Sequence, residues 1–193
     1  MLGLKLPTDP RWVDIASKNI EDILVDHAYC EQKAASSCIS LIVLFPDKER
    51  LVEVLTPVVA EEWAHFELVL AQLKKRGFKL GRQRVDEYVQ ALSKHERKGD
   101  KLNRQLMDKL LINALIEARS CERFKLLYEH LKDKELKRFY YDLMISEAGH
   151  YKNFLELAKM YMPEEIVKDR WQDLLVIEAD IIRNLEMKQD RMH

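Results

Sequence analysis

The sequence predicts an all-α protein, and three observations lead to this expectation. Only five of the 193 residues are glycine and five are proline, while 34% are charged and 47% hydrophobic, a mix that favours long amphipathic helices. Apolar residues recur at helical spacing through most of the chain, without the alternation of a strand. Turn residues stand mainly where this periodicity ends. We expect one domain spanning residues 1–193.

Six helical regions follow from the periodicity and its interruptions. They span roughly 10–44, 51–76, 84–95, 101–131, 134–161 and 164–188. The first can be interrupted near Ser17, and Pro57 predicts a kink or a split in the second. Asp47, in the turn before the second helix, is a candidate cap.

The four long helices form two hairpins joined by a long crossover at residues 77–101. This connectivity, with extra terminal helices, is the ferritin-like type of four-helix bundle. An internal repeat supports the pairing of the hairpins. A shift of 86 residues aligns Glu31 with Glu117, and a shift of 85 aligns Glu62 and His65 with a Glu and a His of the fourth long helix.

Each long helix carries a glutamate on its apolar face, and two of them add a histidine. In VVAEEWAHFELV (58–69), Glu62 and His65 stand at helical steps between Val58 and Val69, where a bundle helix faces its core. The same +4, +3, +4 spacing recurs in the fourth long helix. The six inward-facing residues are Glu31, Glu62, His65, Glu117, Glu147 and His150.

These six residues predict a site for two metal ions. Four buried carboxylates without compensating charge would be prohibitively costly, and two divalent cations would balance them. Glutamate oxygens and imidazole nitrogens suit iron or manganese, and the Glu-x-x-His spacing lets both side chains reach one ion. This is the ligand pattern known from di-iron carboxylate bundles. The alternative is a helical bundle with a few buried ion pairs.

Three further polar residues lie near the candidate ligands in the sequence. Glu117 is preferred over Glu122 as a ligand because Glu122 lies about 140° farther around the helix. His27 and Asn113 each stand four residues before a ligand glutamate and correspond in the internal repeat. They are candidates for orienting the ligands by hydrogen bonds, or else are polar residues at the core edge.

A basic segment, LKKRGFKLGRQR (73–84), follows the second long helix and contains no acidic residue. Its cations are Lys74, Lys75, Arg76, Lys79, Arg82 and Arg84. Residues 94–104 are also mostly basic. Such segments can bind the phosphates of nucleic acid. The alternative is the ordinary preference of helix C-termini for Lys and Arg, followed by a solvated loop.

Bulk properties narrow the cellular setting. The net charge of −1 means that affinity for a polyanion would have to come from a local patch. Cys30, Cys38 and Cys121 form no C-x-x-C pair, which suggests reduced thiols in the cytoplasm. No stretch reaches about 18 uninterrupted apolar residues, the length of a membrane span. We expect a cytoplasmic protein with neither a membrane nor DNA as partner.

Five longer strings carry a resemblance to a known family. They are LPTDPRW, ILVDHAYCEQKAASS, VVAEEWAHF, LIEARSCERF and SEAGHY, which together contain all six candidate ligands. The chain resembles the tRNA hydroxylases that act on 2-methylthio-N6-isopentenyladenosine beside the anticodon. The resemblance implies a ferritin-like fold, a non-haem di-iron centre held by the six residues, and O2-dependent hydroxylation of the isopentenyl group.

The partners expected from this resemblance are a tRNA, bound at its anticodon stem-loop, and an external electron donor. The donor is expected because the chain contains no flavin or iron–sulfur motif. Two other interpretations remain open, one that uses the same six residues as metal ligands and one that uses no metal. One is a ferroxidase, peroxidase or iron-storage protein of ferritin-like fold, and the other is a helical interaction module without metal.

Overall fold

The computed structural model describes residues 2–99, 101–185 and 192, and every regular element in them is a helix. The helices are α1 (Arg11–Lys18), α2 (Ile20–Leu44), α3 (Glu49–Lys75), α4 (Glu87–Ser93), α5 (Leu102–His130), α6 (Lys134–Tyr161) and α7 (Glu164–Asn184). The prediction of an all-α protein is therefore confirmed. Residues 186–188 of the last predicted helix lie outside the described residues. No described helix has the length and apolar character needed to cross a membrane.

The chain divides into two compact units. The first-hairpin unit comprises described residues 14–85 and 192, and its main feature is the packing of α2 against α3. The second-hairpin unit comprises described residues 2–13, 86–99 and 101–185. In it α5 packs against α6, and α4 and α7 pack on this hairpin. The single domain expected from the sequence stays a prediction.

The break expected near Ser17 falls at Asn19, between α1 and α2. The Asn19 side-chain amide donates to the carbonyl oxygen of Ile15 at 2.8 Å. The Asn19 side chain thus satisfies a carbonyl group at the end of α1. Such a bond between a side chain and the nearby backbone competes with continuation of the helix. The interruption therefore follows from an identifiable residue.

Two expectations about the start and middle of α3 were wrong. The helix begins after Lys48 without a side-chain capping bond, so Asp47 is not its cap. The helix also continues through Pro57, so the expected split is wrong, whereas the alternative of a kink stays a prediction. A proline inside a helix costs about 3 kcal/mol, but Leu55 and Val58 on either side of it are buried. Burial of each contributes roughly 1.5–3 kcal/mol and offsets that cost.

Gly77 ends α3, as the sequence predicts. Its φ of +76° lies in the left-handed region that glycine adopts without strain. The N–H of Gly77 donates to the carbonyl of Lys74 at 3.1 Å, and the N–H of Phe78 donates to that of Leu73 at 3.0 Å. These two bonds form a Schellman motif, which satisfies carbonyl groups at the helix end.

In the second-hairpin unit, a fully buried arginine, Arg119, ties two other segments to α5. Arg119 donates to Oε1 of Glu178 on α7 through Nε at 2.9 Å and Nη2 at 2.6 Å. It also donates to Thr8 Oγ1 and to the Leu6 carbonyl, each at 3.0 Å, and to Glu122. Thr8 Oγ1 in turn donates to Glu122 Oε2 at 2.6 Å. This Arg119 network holds α7 and the N-terminal segment against α5.

Candidate metal centre

The first-hairpin unit brings Glu31 on α2 together with Glu62 and His65 on α3. Nδ1 of His65 lies 3.7 Å from Oε2 of Glu31 and 3.6 Å from Oε2 of Glu62. One ligand atom from each of the three residues lies within 4.8 Å of the other two. All three side chains are buried, with exposed fractions of 4%, 0% and 8%. The unit therefore presents a compact group of two carboxylates and one imidazole.

The sequence of α3 explains why Glu62 and His65 face inward. Val58 and Val69, one turn before and after them on the same face, are buried at 2% and 0% exposure. Their burial fixes the rotation of the helix and carries the polar pair into the interior. Glu67, on another face of the same helix, is exposed.

The second-hairpin unit contains an equivalent group, formed by Glu117 on α5 with Glu147 and His150 on α6. His150 Nδ1 lies 2.8 Å from Glu147 Oε2. One ligand atom from each of these three residues also lies within 4.8 Å of the other two. Their exposed fractions are 4%, 1% and 2%. The prediction that all six residues are buried on their helices agrees with the structure.

The chemistry of these groups fits a di-iron centre. Each unit holds two glutamates within a few ångströms of each other in a buried setting, which is unfavourable for their ionised forms unless a cation compensates. Carboxylate and imidazole donors are those that non-haem iron uses. The buried Glu and His groups could therefore hold metal, while the assignment of the six residues as iron ligands stays a prediction.

His27 and Asn113, the residues expected to orient the ligands, make different contacts. Nε2 of His27 lies 2.5 Å from Oε1 of Glu31, and His27 is fully buried. Nδ2 of Asn113 instead donates to the carbonyl of Lys109, four residues earlier on the same helix, at 2.8 Å. The contact of His27 suits an orienting role, whereas the observed bond of Asn113 belongs to its own helix.

Cys121 is buried beside the second group of candidate ligands. Its thiol donates to the carbonyl of Met144 at 3.3 Å. Burial raises the pKa of the Cys121 thiol, and the negative charges of Glu147 and Glu117 raise it further. The thiol therefore stays protonated at neutral pH. All three cysteines are free thiols, as the sequence predicts.

The Arg119 network was missed by the sequence analysis, and Glu122, which was set aside as a ligand, is part of it. Glu122 is held by Arg119 and Thr8 rather than grouped with Glu117. A signal was present in the run Leu110–Leu115, in which every residue except Asn113 is apolar, so that more than one face of the helix is predicted to be buried. Charged residues farther along such a helix must pair with one another.

The basic segment at residues 73–84 is divided between exposed and paired cations. Arg84 donates to Asp22 on α2 at 2.5 Å, and Arg76 donates to the side chain of Gln72. Tyr29 on α2 donates to the carbonyl of Gly81 at 2.8 Å, which further holds this segment on the first hairpin. The exposed cations are Lys74, Lys75, Lys79 and Arg82.

An all-α fold that buries Glu and His groups on long paired helices is the arrangement of ferritin-like proteins that bind non-haem metal. Residues 2–193 match the family described as tRNA-(MS[2]IO[6]A)-hydroxylase (MiaE), and the chain belongs to that family. The family and enzyme class predicted from the sequence are therefore confirmed.

Individual relatives agree with this assignment. The chain is 40% identical over 161 residues to the tRNA 2-(methylsulfanyl)-N(6)-isopentenyladenosine(37) hydroxylase of Pseudomonas putida (strain KT2440), covering 83% of this chain and 77% of the relative. It is 28% identical to the protein of the same name from Salmonella typhimurium (strain LT2) over 228 aligned positions, covering 93% and 83%.

A solved structure confirms the ferritin-like fold. Protein 43 with aldehyde deformylating oxygenase activity, from Synechococcus, matches with a TM-score of 0.93 and 35% sequence identity. The match covers 98% of this chain and 94% of the other chain. The observed order of helices is therefore that of a ferritin-like protein.

Proposed function

We propose that this protein is an O2-dependent di-iron monooxygenase that hydroxylates the isopentenyl group of (2-methylthio-)N6-isopentenyladenosine next to the anticodon of tRNA. The observation that carries the proposal is the pair of buried Glu/Glu/His groups, one in each unit. The names of the two tRNA hydroxylase relatives supply the substrate class.

In this proposal the six side chains hold two iron ions. Their four glutamates would balance the four positive charges of two ferrous ions, which removes the cost of burying the carboxylates. Iron, when bound, supplies the redox chemistry that activates O2. The six side chains hold and orient the ions, and their burial keeps bulk water away from the reacting groups.

Hydrogen bonds from neighbouring residues fix the positions of the proposed ligands. His27 holds Oε1 of Glu31, while Oε2 of the same carboxylate lies toward His65. In the second-hairpin unit, the Arg119 network fixes α5 two residues beyond Glu117. Electrons come from an external donor, since the sequence offers no flavin or iron–sulfur motif.

The exposed cations of the basic segment are proposed to hold tRNA phosphates. Lys74, Lys79 and Arg82 are exposed, whereas Arg84 is engaged with Asp22. The stem-loop would be gripped through its backbone while the modified adenosine, an exposed loop base, reaches the metal centre. A cytoplasmic location follows from this substrate and stays a prediction.

The direct test is an assay on the iron-loaded protein. The protein is incubated with an electron donor, O2 and tRNA that carries the isopentenyl group, and the digested nucleosides are analysed by mass spectrometry. A gain of one oxygen atom in the isopentenyl nucleoside is expected. Glu62→Ala should abolish the gain, and Glu67→Ala, an exposed glutamate of the same helix, should not. No gain with a donor that keeps the iron reduced would refute the proposal.

A second candidate is deformylation of an aldehyde, in which the bond between the aldehyde carbon and its chain is broken, and the similarity to the Synechococcus protein favours it. The same iron-loaded protein can be given an aliphatic aldehyde in place of tRNA. Release of the aldehyde carbon as formate, without oxygen transfer to tRNA, would favour this candidate. A ferroxidase or iron-storage role is not favoured, because both the family and the named relatives are tRNA hydroxylases.

A further inference from the structure

A cavity of about 310 Å³ lies against α4 and α7 in the second-hairpin unit. Its apolar walls are formed by Ala91 on α4 and by Ile177, Ile181 and Leu185 on and just after α7. This volume falls at the lower end of the range of pockets that bind small organic groups, about 300–1,000 Å³. It suits one flat ring system better than a large ligand.

Three polar residues complete the lining of the cavity. They are His95, Asp180 and Asn184. The Asn184 amide donates to the backbone carbonyl of Asp180 at 2.8 Å, and the Asp180 carboxylate accepts from Arg183. An amide, a carboxylate and an imidazole offer both donors and acceptors, which the edge of a nucleobase requires.

The residues beside the cavity are held in place by a buried aspartate. Asp108 accepts from Nε of Arg97 and from Nε of Arg170, each at 2.9 Å. Arg170 also donates to the carbonyl of His95 at 2.7 Å. Burial alone would raise the pKa of Asp108, but the hydrogen bonds from Arg97 and Arg170 hold it below its ordinary value. This Asp108 clamp fixes residues 95–97 before any ligand arrives.

Two exposed lysines lie within three residues of the cavity-lining His95 along the chain. Lys94 and Lys98 are exposed on either side of the clamped residues. Glu96, between them, forms an ion pair with Lys109 at 2.8 Å, so its negative charge is compensated within the unit. Two lysines beside an apolar cavity match a ligand that combines a ring with phosphate groups.

We propose that this cavity binds one unpaired nucleotide of the tRNA, with its base between the apolar walls and its flanking phosphates on Lys94 and Lys98. The proposal rests on the proposed function, which makes tRNA the substrate. None of the six candidate metal ligands lines the cavity. The cavity would therefore hold a nucleotide other than the one that is modified.

The experiment measures binding and turnover of full-length tRNA by the iron-loaded protein. Ala91→Phe fills the cavity from its α4 wall, and Val176→Phe adds the same ring to an exposed position of α7 outside the lining. Exclusion of one base from the cavity should raise KM and the dissociation constant about tenfold for Ala91→Phe. Turnover at saturating tRNA should be unchanged, and Val176→Phe should match the wild type in both quantities.

A second variant tests the phosphate contacts without altering the cavity. Lys94→Ala/Lys98→Ala should weaken binding and reduce the slope of log affinity against log salt by about 1.5. Lys125→Ala/Lys168→Ala, which removes two lysines elsewhere in the unit, should leave the slope unchanged. Circular dichroism and thermal unfolding confirm that each variant is folded.

The possible outcomes separate this inference from the proposed function. If the wild type hydroxylates tRNA but neither cavity variant changes KM or affinity, the cavity inference is wrong and the function stands. If the wild type neither binds nor hydroxylates tRNA, both fail. A third measurement tests whether adenosine monophosphate displaces bound tRNA from the wild type. If adenosine monophosphate binds with the same dissociation constant as tRNA, the cavity is a site for free nucleotides and the assignment to RNA is wrong.

Discussion

Nε2 of His27 lies 2.5 Å from Oε1 of Glu31, one turn farther along α2, and both side chains are buried. The other oxygen of this carboxylate, Oε2, lies 3.7 Å from Nδ1 of His65 on α3. One oxygen of Glu31 is therefore held within α2, and the other is directed at the candidate ligands of the neighbouring helix. In the proposed metal centre, this division would orient the Glu31 carboxylate for metal binding before the metal arrives.

Replacing His27 should weaken iron binding without removing a ligand. We expect His27→Ala to lower the affinity for ferrous iron about 10- to 100-fold, the usual effect of losing a group that orients a ligand. Competition with a coloured chelator measures this affinity. Asn113→Ala is the matched variant, and its effect should be smaller because the Asn113 amide donates to the Lys109 carbonyl of its own helix. Equal affinities for His27→Ala and wild type would contradict the orienting role.

Replacing Glu62 should stabilise the metal-free protein and abolish its stabilisation by iron. Glu62 is fully buried, so Glu62→Gln removes a buried carboxylate and should raise the free energy of unfolding by roughly 1–2 kcal/mol without metal. In wild type, ferrous iron at 100 times its dissociation constant should add about 2.7 kcal/mol. Thermal unfolding with and without iron measures both effects.

The control for that prediction is Glu67→Gln, because Glu67 is an exposed glutamate on the same helix. Its free energy of unfolding should stay within about 0.5 kcal/mol of wild type, and its response to iron should be unchanged. If iron raised the free energy of unfolding equally in Glu62→Gln and Glu67→Gln, Glu62 would not be a metal ligand.

Removing the charge of Arg119 should destabilise the protein in a pH-dependent way. Arg119→Met leaves Glu178 and Glu122 without their buried cation and should cost about 3–5 kcal/mol near neutral pH. Burial raises the pKa of Glu178, and Arg119 counteracts this effect, so the pKa should climb further in the variant. A raised pKa favours the protonated carboxyl in the folded state, so the cost should be smaller at pH 5 than at pH 8.

Urea unfolding at the two pH values measures this difference. The double variant Arg119→Met/Glu178→Gln removes both members of the ion pair, so its stability should depend less on pH than that of the single variant. A loss of stability that is the same at pH 5 and pH 8 in Arg119→Met would mean that Glu178 does not titrate as described.

The exposed and paired cations of the basic segment should behave differently. Lys74→Ala/Lys79→Ala/Arg82→Ala should weaken tRNA binding. The slope of log affinity against log salt concentration should become shallower by about 0.7–0.9 for each phosphate that is no longer neutralised. Iron content should stay at the wild-type level. Arg84→Ala removes a cation that is engaged with Asp22, so it should change the salt dependence less. Fluorescence anisotropy with labelled tRNA at several salt concentrations compares the two variants. An unchanged slope in the triple variant would exclude these side chains from the RNA interface.

Much of the fold was predictable because helical periodicity is a local property. The boundaries of α5 and α6 agree with the predicted ranges to within a residue or two at each end, since their apolar stripes end at turn residues such as Asp133, which caps α6. The inward positions of Glu62 and Glu147 were predictable for the same reason. A polar residue at helical steps between buried apolar residues must share their face.

The continuity of α3 shows where local reasoning fails. Pro57 predicts an interruption from its own geometry, but burial of Leu55 and Val58 by the rest of the unit outweighs that preference. The same limit applied to the basic segment. Its six cations are equivalent in the sequence, and only the position of Asp22 on α2 distinguishes Arg84 from the exposed ones.

The sequence by itself determined the helices, the faces they bury and the residues able to bind metal, because each depends on spacing within one helix. Only the tertiary structure decided which charged residues pair with one another. Arg119 meets Thr8 and Glu178, residues that are 111 and 59 positions away along the chain. Asp108 likewise accepts from Arg97 and from Arg170, which are 11 and 62 positions away from it along the chain. Such pairs depend on how helices pack, and periodicity carries no information about the partner that a buried charge will find.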